Sequence, residues 1–449
     1  MRVSTAPTRT RSPIWDIVEE TLEEALFLWS RWRAMLWSHA YGVQGVSFWV
    51  EERLLGALDG ILGAGKAAAD SLLIPALRGE DILGTTVAAH VLAADGGPRA
   101  LEALMTAFRE SDGARLTALE QGLALVRSKS LSAALDTAVG GASSKHAASA
   151  MRVRAFQQRD PGPDVEIALE SEDIELRTAT LRAFRHTASV GGAVAVERQL
   201  YSADCLVRDT AIETGLVRGM AASWSRCREV ASLAKPDSGR ALVLLALLGV
   251  EQDQKPVVEA VGDEKQRRDA LFALGFAGTR AAADACIEAM AAGLCVQLAG
   301  EAFAAITGLD LEAEGLVAPN PSEEPDEPIP FEEENLDANL VPTPADLLPW
   351  PDVGGVIRWW NVNRAAFAGG QRYLGGKPAD LTAMQRALAE GPMRRRHAIA
   401  LELAIRTGGR YQVETLDFTA AQRRQMEAFE LFGGAGIRRS RLKQSFSSA

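Results

Sequence analysis

A spacing that recurs through the middle of the chain limits its possible folds more than any other feature. An Asp is followed four positions on by an Arg and three further by a small residue, as Asp173, Arg177, Thr180 and again, 31 residues later, as Asp204, Arg208, Ala211. A third copy reads Asp263, Arg267, Ala270. A period of this length belongs to stacked helical hairpins, each too small to bury its own apolar face and each borrowing burial from its neighbours. It predicts a scaffold with a long binding surface rather than a catalytic pocket. The Arg sits early in one helix, where it can reach an Asp or a carbonyl of the adjoining repeat. The small residue three positions on lets the paired helix come close.

The spacing of breaks supports the same reading. Asp95-Gly96-Gly97-Pro98, Asp112-Gly113, Gly140-Gly141, Asp160-Pro161-Gly162-Pro163 and Gly191-Gly192 separate segments of helical length, as in an array of antiparallel helix pairs. Ala and Leu dominate the 47% hydrophobic share, and these residues cost least in a helix. Residues 81–311 are therefore expected to form a repeat solenoid, degenerate over 81–150 and clearest over 164–310. The runs Ala241–Gly249 and Ala270–Gly275 each predict a buried helix ending at a Gly with positive φ.

Upstream, residues 14–80 predict an N-terminal helical cap of three helices, over Ile14–Trp37, Gly45–Leu62 and Gly65–Arg78, the first started by Ser12 and Pro13. Residues 1–13 predict disorder. Residues 312–351 differ in kind. Nine of the 19 prolines fall between Pro319 and Pro351, among Glu323, Glu324, Asp326, Glu327, Glu332, Glu333, Glu334 and Asp337. Proline breaks helices and like charges repel, so this is an acidic linker or an arm laid over the solenoid. Residues 352–432 predict a C-terminal helical module, and 433–449 a disordered basic tail.

Chemistry-bearing motifs are missing. The five histidines are scattered, no HExxH or GxSxG occurs, and the helical carboxylates Glu19, Glu20, Glu23 and Glu24 have no ExxH partners. The four cysteines form no CxxC and read as small core residues in a reducing compartment. Gly369-Gly370 and Gly375-Gly376-Lys377 fail the phosphate-loop test, since no Ser or Thr follows the Lys. No enzyme, cofactor or metal is expected. The formal net charge of −11 argues against general nucleic-acid binding. No signal peptide or apolar span is visible, so the expected compartment is the cytoplasm.

Two aromatic clusters are candidates for partner binding, because Trp, Tyr and Arg are favoured at interaction hot spots. In the cluster Phe27, Trp29, Trp32, Trp37, Phe48 and Trp49, Trp29 is assigned to the core, while Trp32 and Trp37, beside Arg31, Arg33 and Ser38, are expected to be exposed; Trp49 joins them as a candidate. The second cluster is Trp359, Trp360, Arg364, Arg372 and Tyr373, for which packing and loop capping is the competing role. Arg394-Arg395-Arg396 is expected to meet the acidic arm.

Three segments carry a family resemblance: Glu23–Trp29 with Leu58-Asp59-Gly60; Ala305–Leu311; and Leu348–Asp352 with Trp359-Trp360, Asn363, Phe367, Gly370, Arg372-Tyr373-Leu374 and Gly376. Over about residues 15–406 the chain resembles proteobacterial HEAT-like repeat proteins often found in gene neighbourhoods of type VI secretion. The pair that usually follows the first helix survives only as His39-Ala40-Tyr41. The resemblance implies an all-α, HEAT-like α-solenoid serving as a non-enzymatic adaptor, accessory or chaperone-like scaffold for a secretion component or its effector, and no catalytic residue. The alternatives are an immunity-type protein that neutralises a toxin, or a helical-repeat protein that binds nucleic acid or supports an enzyme, such as a bilin lyase subunit or a glycosylase.

Overall fold

A computed structural model describes residues 14–141, 143–187, 191–233, 235–320 and 343–432. The expected cap by Ser12 and Pro13, the acidic cluster from Glu323 to Asp337 and the basic tail all lie outside these residues. The described chain is all-α; its strands are two-residue segments, Tyr373–Leu374 and Lys377–Pro378, paired antiparallel. It divides into two compact units, one holding 1–35, 45–192 and 417–419, the other 36–44, 193–416 and 420–449. The division falls inside the expected 81–311 solenoid.

In the first unit, the helices Ile82–Asp95, Gly113–Ala124, Ser144–Phe156 and Ile174–Phe184 begin 30 or 31 residues apart, and each packs on the next. The period thus reaches back through 81–150 without decay. This row is sandwiched, so Ile82–Asp95 is buried on every side from Gly84 to Ala93. The alternate helix Pro98–Glu110 turns only Ala100, Leu104, Met105, Ala107 and Phe108 inward, the stripe expected of a helix covered on one face. Threonine hydroxyls in the buried row bond carbonyls four residues back. The hydroxyl of Thr180, which replaces Ala in the motif, is fully buried and donates to the Leu176 carbonyl at 2.8 Å.

The motif Asp has a role beyond pairing. Asp173 caps its helix, accepting from the Glu175 and Leu176 amides at 2.9 and 3.0 Å, and Asp204 accepts from the Val207 amide at 3.1 Å. Asp263 departs from this: it accepts from Lys265 N, and the helix starts a turn later, after Gln266. The expected Arg contact holds at Arg208, which donates to the Asp237 carboxylate and carbonyl, both at 2.9 Å. Ion pairs also link successive helices of the first unit's row through an Arg outside the motif. Arg152 bridges Glu120 at 2.6 Å and Glu175 at 3.2 Å.

In the second unit, Gly239–Leu248, Arg267–Ala277 and Val296–Thr307 form a packed row. Both expected glycine termini need correction. Gly249 ends its helix in extended backbone, with φ −72°. Gly275 lies inside a helix that runs on to Gly278, and Gly278 supplies the positive φ of 64°. Gly275 is required for a different reason: a Cβ there would collide with the guanidinium of Arg395.

The chain between 343 and 416 is laid over this row. Pro351 rests on Gly300, Leu348 accepts from Gln297 at 2.6 Å, the Tyr373 amide donates to Gly278 O at 2.7 Å, and Gly375 and Gly376 donate to the carbonyls of Ala305 and Ile306. The helix Met393–Arg406 packs against Gly239–Leu248 and Cys205–Val217. The two described flanks of the acidic segment meet in a bridge between Val317 and Pro351. The repeat face expected to be free for another macromolecule is therefore covered here by the protein's own C-terminal chain.

Candidate interaction surface

The second aromatic cluster is a clasp rather than an open surface. Trp360 is buried and donates its indole N–H to Asp284 at 2.8 Å. Arg364 forms a fork with the same carboxylate at 2.8 and 2.7 Å, which holds the Asp284 carboxyl below its usual range despite partial burial. Tyr373 is buried against Phe367, and its hydroxyl accepts from Ala368 N. Arg372 donates to Phe276 O at 2.9 Å, to Leu247 O at 3.1 Å and to both oxygens of Glu402. Trp359 is half-buried, edge-on to Phe303. Of these five candidates, Trp360, Tyr373 and Arg372 are corrected to packing residues that bind the C-terminal chain to its repeats.

The same correction applies to the arginine run. Arg394 and Arg395 both reach Glu301, at 3.2 and 3.1 Å, and stack on Phe272. Arg396 is fully buried, donating to the Leu388 carbonyl and, at 2.7 Å, to Gln422. Burial pushes its guanidinium down to about 9. Arg394 and Arg395 thus share a repeat glutamate, and the acidic cluster from Glu323 to Asp337 that the run was expected to meet lies outside the described residues.

Glu402 completes the clasp. It is fully buried and accepts from Arg372 and, at 2.7 Å, from Arg406. Desolvation pushes its carboxyl up, but the two guanidinium groups outweigh it and hold the carboxyl below its usual range. Two cations on one desolvated carboxylate make a rigid, charge-assisted joint.

The N-terminal cluster splits differently. Trp32, expected to be exposed, is 1% exposed, and its indole N–H donates to Glu51 at 2.9 Å. Glu51 also accepts from the Thr419 amide and hydroxyl, the latter at 2.6 Å. Phe418 packs on Trp32 and His90, and the buried Asp417 pairs with Arg127 at 2.6 Å. The segment Asp417–Thr419 thus fastens the first unit's N-terminal helices. Trp37 is partly exposed, but one face is spent on His397, 4.3 Å away.

Trp49 is 59% exposed, beside Phe48 at 63%, the rings edge-to-face at 5.0 Å. They lie on a π-helical turn, Ser47–Glu51. Such turns re-aim side chains and concentrate at functional sites. Here the turn sends Glu51 inward while two aromatic rings stand in solvent. Phe27, on the preceding helix Trp15–Met35, is 64% exposed.

Nothing else in the described residues gathers reactive groups. No cluster of His, Cys, Asp and Glu there could hold a metal. His90 is buried and His186 and His397 are half-buried, and desolvation pushes each down to about 4. Cys227 and Cys286 are buried, with thiols pushed up by burial, whereas Cys205 is exposed, contrary to its expected core role. A cleft of 510 Å³ at Arg127, Lys129, Asp136 and Arg159 is cationic, but Arg127 and Arg159 are already paired with Asp417 and Asp136. No helix of the described residues is long and apolar enough to cross a membrane.

No family model and no curated protein matches the sequence. Among solved structures, the X-ray structure of YibA from E. coli is similar, with 16% identity and a TM-score of 0.38 over 55% of this chain and 94% of that one. A likeness at that level bears on neither fold nor activity.

Proposed function

We propose that the protein is a non-enzymatic protein-binding scaffold, an adaptor, accessory or chaperone-like partner of a type VI secretion component or effector in the cytoplasm. The observation that carries the reading is the exposed Phe48–Trp49 pair on the π-turn. Large aromatic rings left in water cost solubility and suit interface hot spots. The family resemblance supplies the secretion context. With the second unit's repeat row covered by residues 343–416, the open aromatic face of the first unit is the better place for a partner. The test is gene deletion with a delivery assay. Loss of effector delivery without self-poisoning supports the scaffold; intact delivery overturns it, and poisoning of sibling cells replaces it with an immunity protein.

A further inference from the structure

The helices Trp15–Met35 and Glu52–Gly63 pack as an antiparallel pair: the Thr21 methyl lies beside Gly60, Glu24 pairs with Arg53 at 2.7 Å, and Trp32 bonds Glu51. The Glu24–Arg53 bridge is exposed, so it marks the outward face of the pair. Phe27 lies three residues beyond Glu24, and Trp49 four residues before Arg53. In antiparallel helices both steps run the same way, displacing the two rings to one side of the bridge by about 5 Å each at 1.5 Å per residue. Phe27 on one helix and the Phe48–Trp49 pair just ahead of the other are the exposed rings of this helix pair.

Two further features set its chemistry. Glu20 and Glu23, seven and four residues before Phe27 on the same helix, are exposed, and neither has an ion-pair partner within the described residues. Gly56 stands exposed in mid-helix with nothing within 4 Å of where its Cβ would be. A mid-helix Gly costs about 1 kcal/mol relative to Ala, and no packing among the described residues requires it. An approaching helix would use the space.

We propose that this outward face docks a basic amphipathic helix of a partner protein, its apolar seam on Phe27, Phe48 and Trp49, its cations on Glu20 and Glu23. The proposal rests on the scaffold reading and names its surface. Helix-in-groove recognition with charge complementarity is an established mode for a partner of this kind.

The probe is a fluorescein-labelled 18-residue helical peptide of Leu, Ala and Lys with its leucines on one stripe, and a twin with Glu in place of Lys, titrated against the full chain by anisotropy. The Lys peptide binds at least tenfold tighter than the Glu twin. The doubly substituted variants F48S/W49S and E20K/E23K each weaken it at least fivefold, with melting curves unchanged. Equal binding of the two peptides, no binding of either, or a variant that melts and binds like the parent overturns the proposal. So does a W49S-sensitive dimer in sedimentation, which assigns the face to a second copy. Such failures leave the deletion phenotype intact, so they are separable from failure of the scaffold reading.

Discussion

The two units close their helical rows with different chemistry. In the second, the chain from 343 to 416 lies across the repeats and is held by desolvated arginines, Arg372 and Arg406 on Glu402 and Arg394 and Arg395 on Glu301. In the first, the N-terminal helices are fastened by one carboxylate, Glu51, receiving neutral donors from Trp32 and Thr419, and their outer face keeps bare aromatic rings. Covering a repeat face with one's own chain removes it from use. Leaving a terminal pair uncovered, against the rule that end repeats present polar faces, keeps the surface that the proposed partner would use.

Breaking the ionic clasp gives the largest effect. Glu402→Leu leaves Arg372 and Arg406 buried without a counter-charge, and removing one partner of such a set costs about 3–5 kcal/mol. Chemical denaturation is expected to show that loss, and limited proteolysis faster cleavage between 353 and 380. If the variant unfolds like the parent, the clasp is not what holds the C-terminal chain.

Acid discriminates the units next. His90 and His186, in the first, are each pushed to about 4, whereas in the second only His397 is pushed that far, with His39 also lowered by burial. A depressed histidine pKa means the unfolded chain takes up the proton first, so stability is full above about 6.5 and falls as pH drops toward 4. Each group contributes at most about 3 kcal/mol over that window. Hydrogen exchange at pH 7 and pH 5 is expected to show greater loss of protection in the first unit. Equal loss in both would show that the histidines do not govern the difference.

The fastening at Glu51 ranks third. Glu51→Ala orphans the Trp32 indole N–H and the Thr419 amide, and a buried donor left unmade costs about 1–3 kcal/mol. Glu51→Gln keeps an acceptor and is expected to recover about half of the loss. Urea midpoints of the two variants measure the difference.

Much of this was legible from local spacing, and the failures are physical. The period revealed the stacked pairs because burial by neighbours imposes it on every repeat. Trp32 was misplaced because charged neighbours in sequence, Arg31 and Arg33, point elsewhere on a helix. Trp29, three positions away and correctly assigned to the core, shares its face. Asp284 could not be matched to Trp360 and Arg364, nor Glu51 to Thr419, because contacts across 76 to 368 residues leave no local signature. Trp49 is exposed, as a partner-binding candidate must be, but the π-turn that presents it has no sequence pattern of its own.

The smallest expected effect tests what the two units have in common. Asp173 in the first and Asp204 in the second cap equivalent helices, whereas Asp263 sits a turn ahead of its helix. An N-cap Asp replaced by Ala costs about 1 kcal/mol, because an amide in the first helical turn loses its acceptor. Asp173→Ala and Asp204→Ala are thus expected to lower stability by similar amounts, and Asp263→Ala by less, since the Lys265 amide it serves lies outside the helix. Thermal melts of the three variants give the comparison directly. A loss at Asp263 equal to the other two would mean that the shared spacing is conserved in energy as well as in sequence position, and that the later helix start there is immaterial.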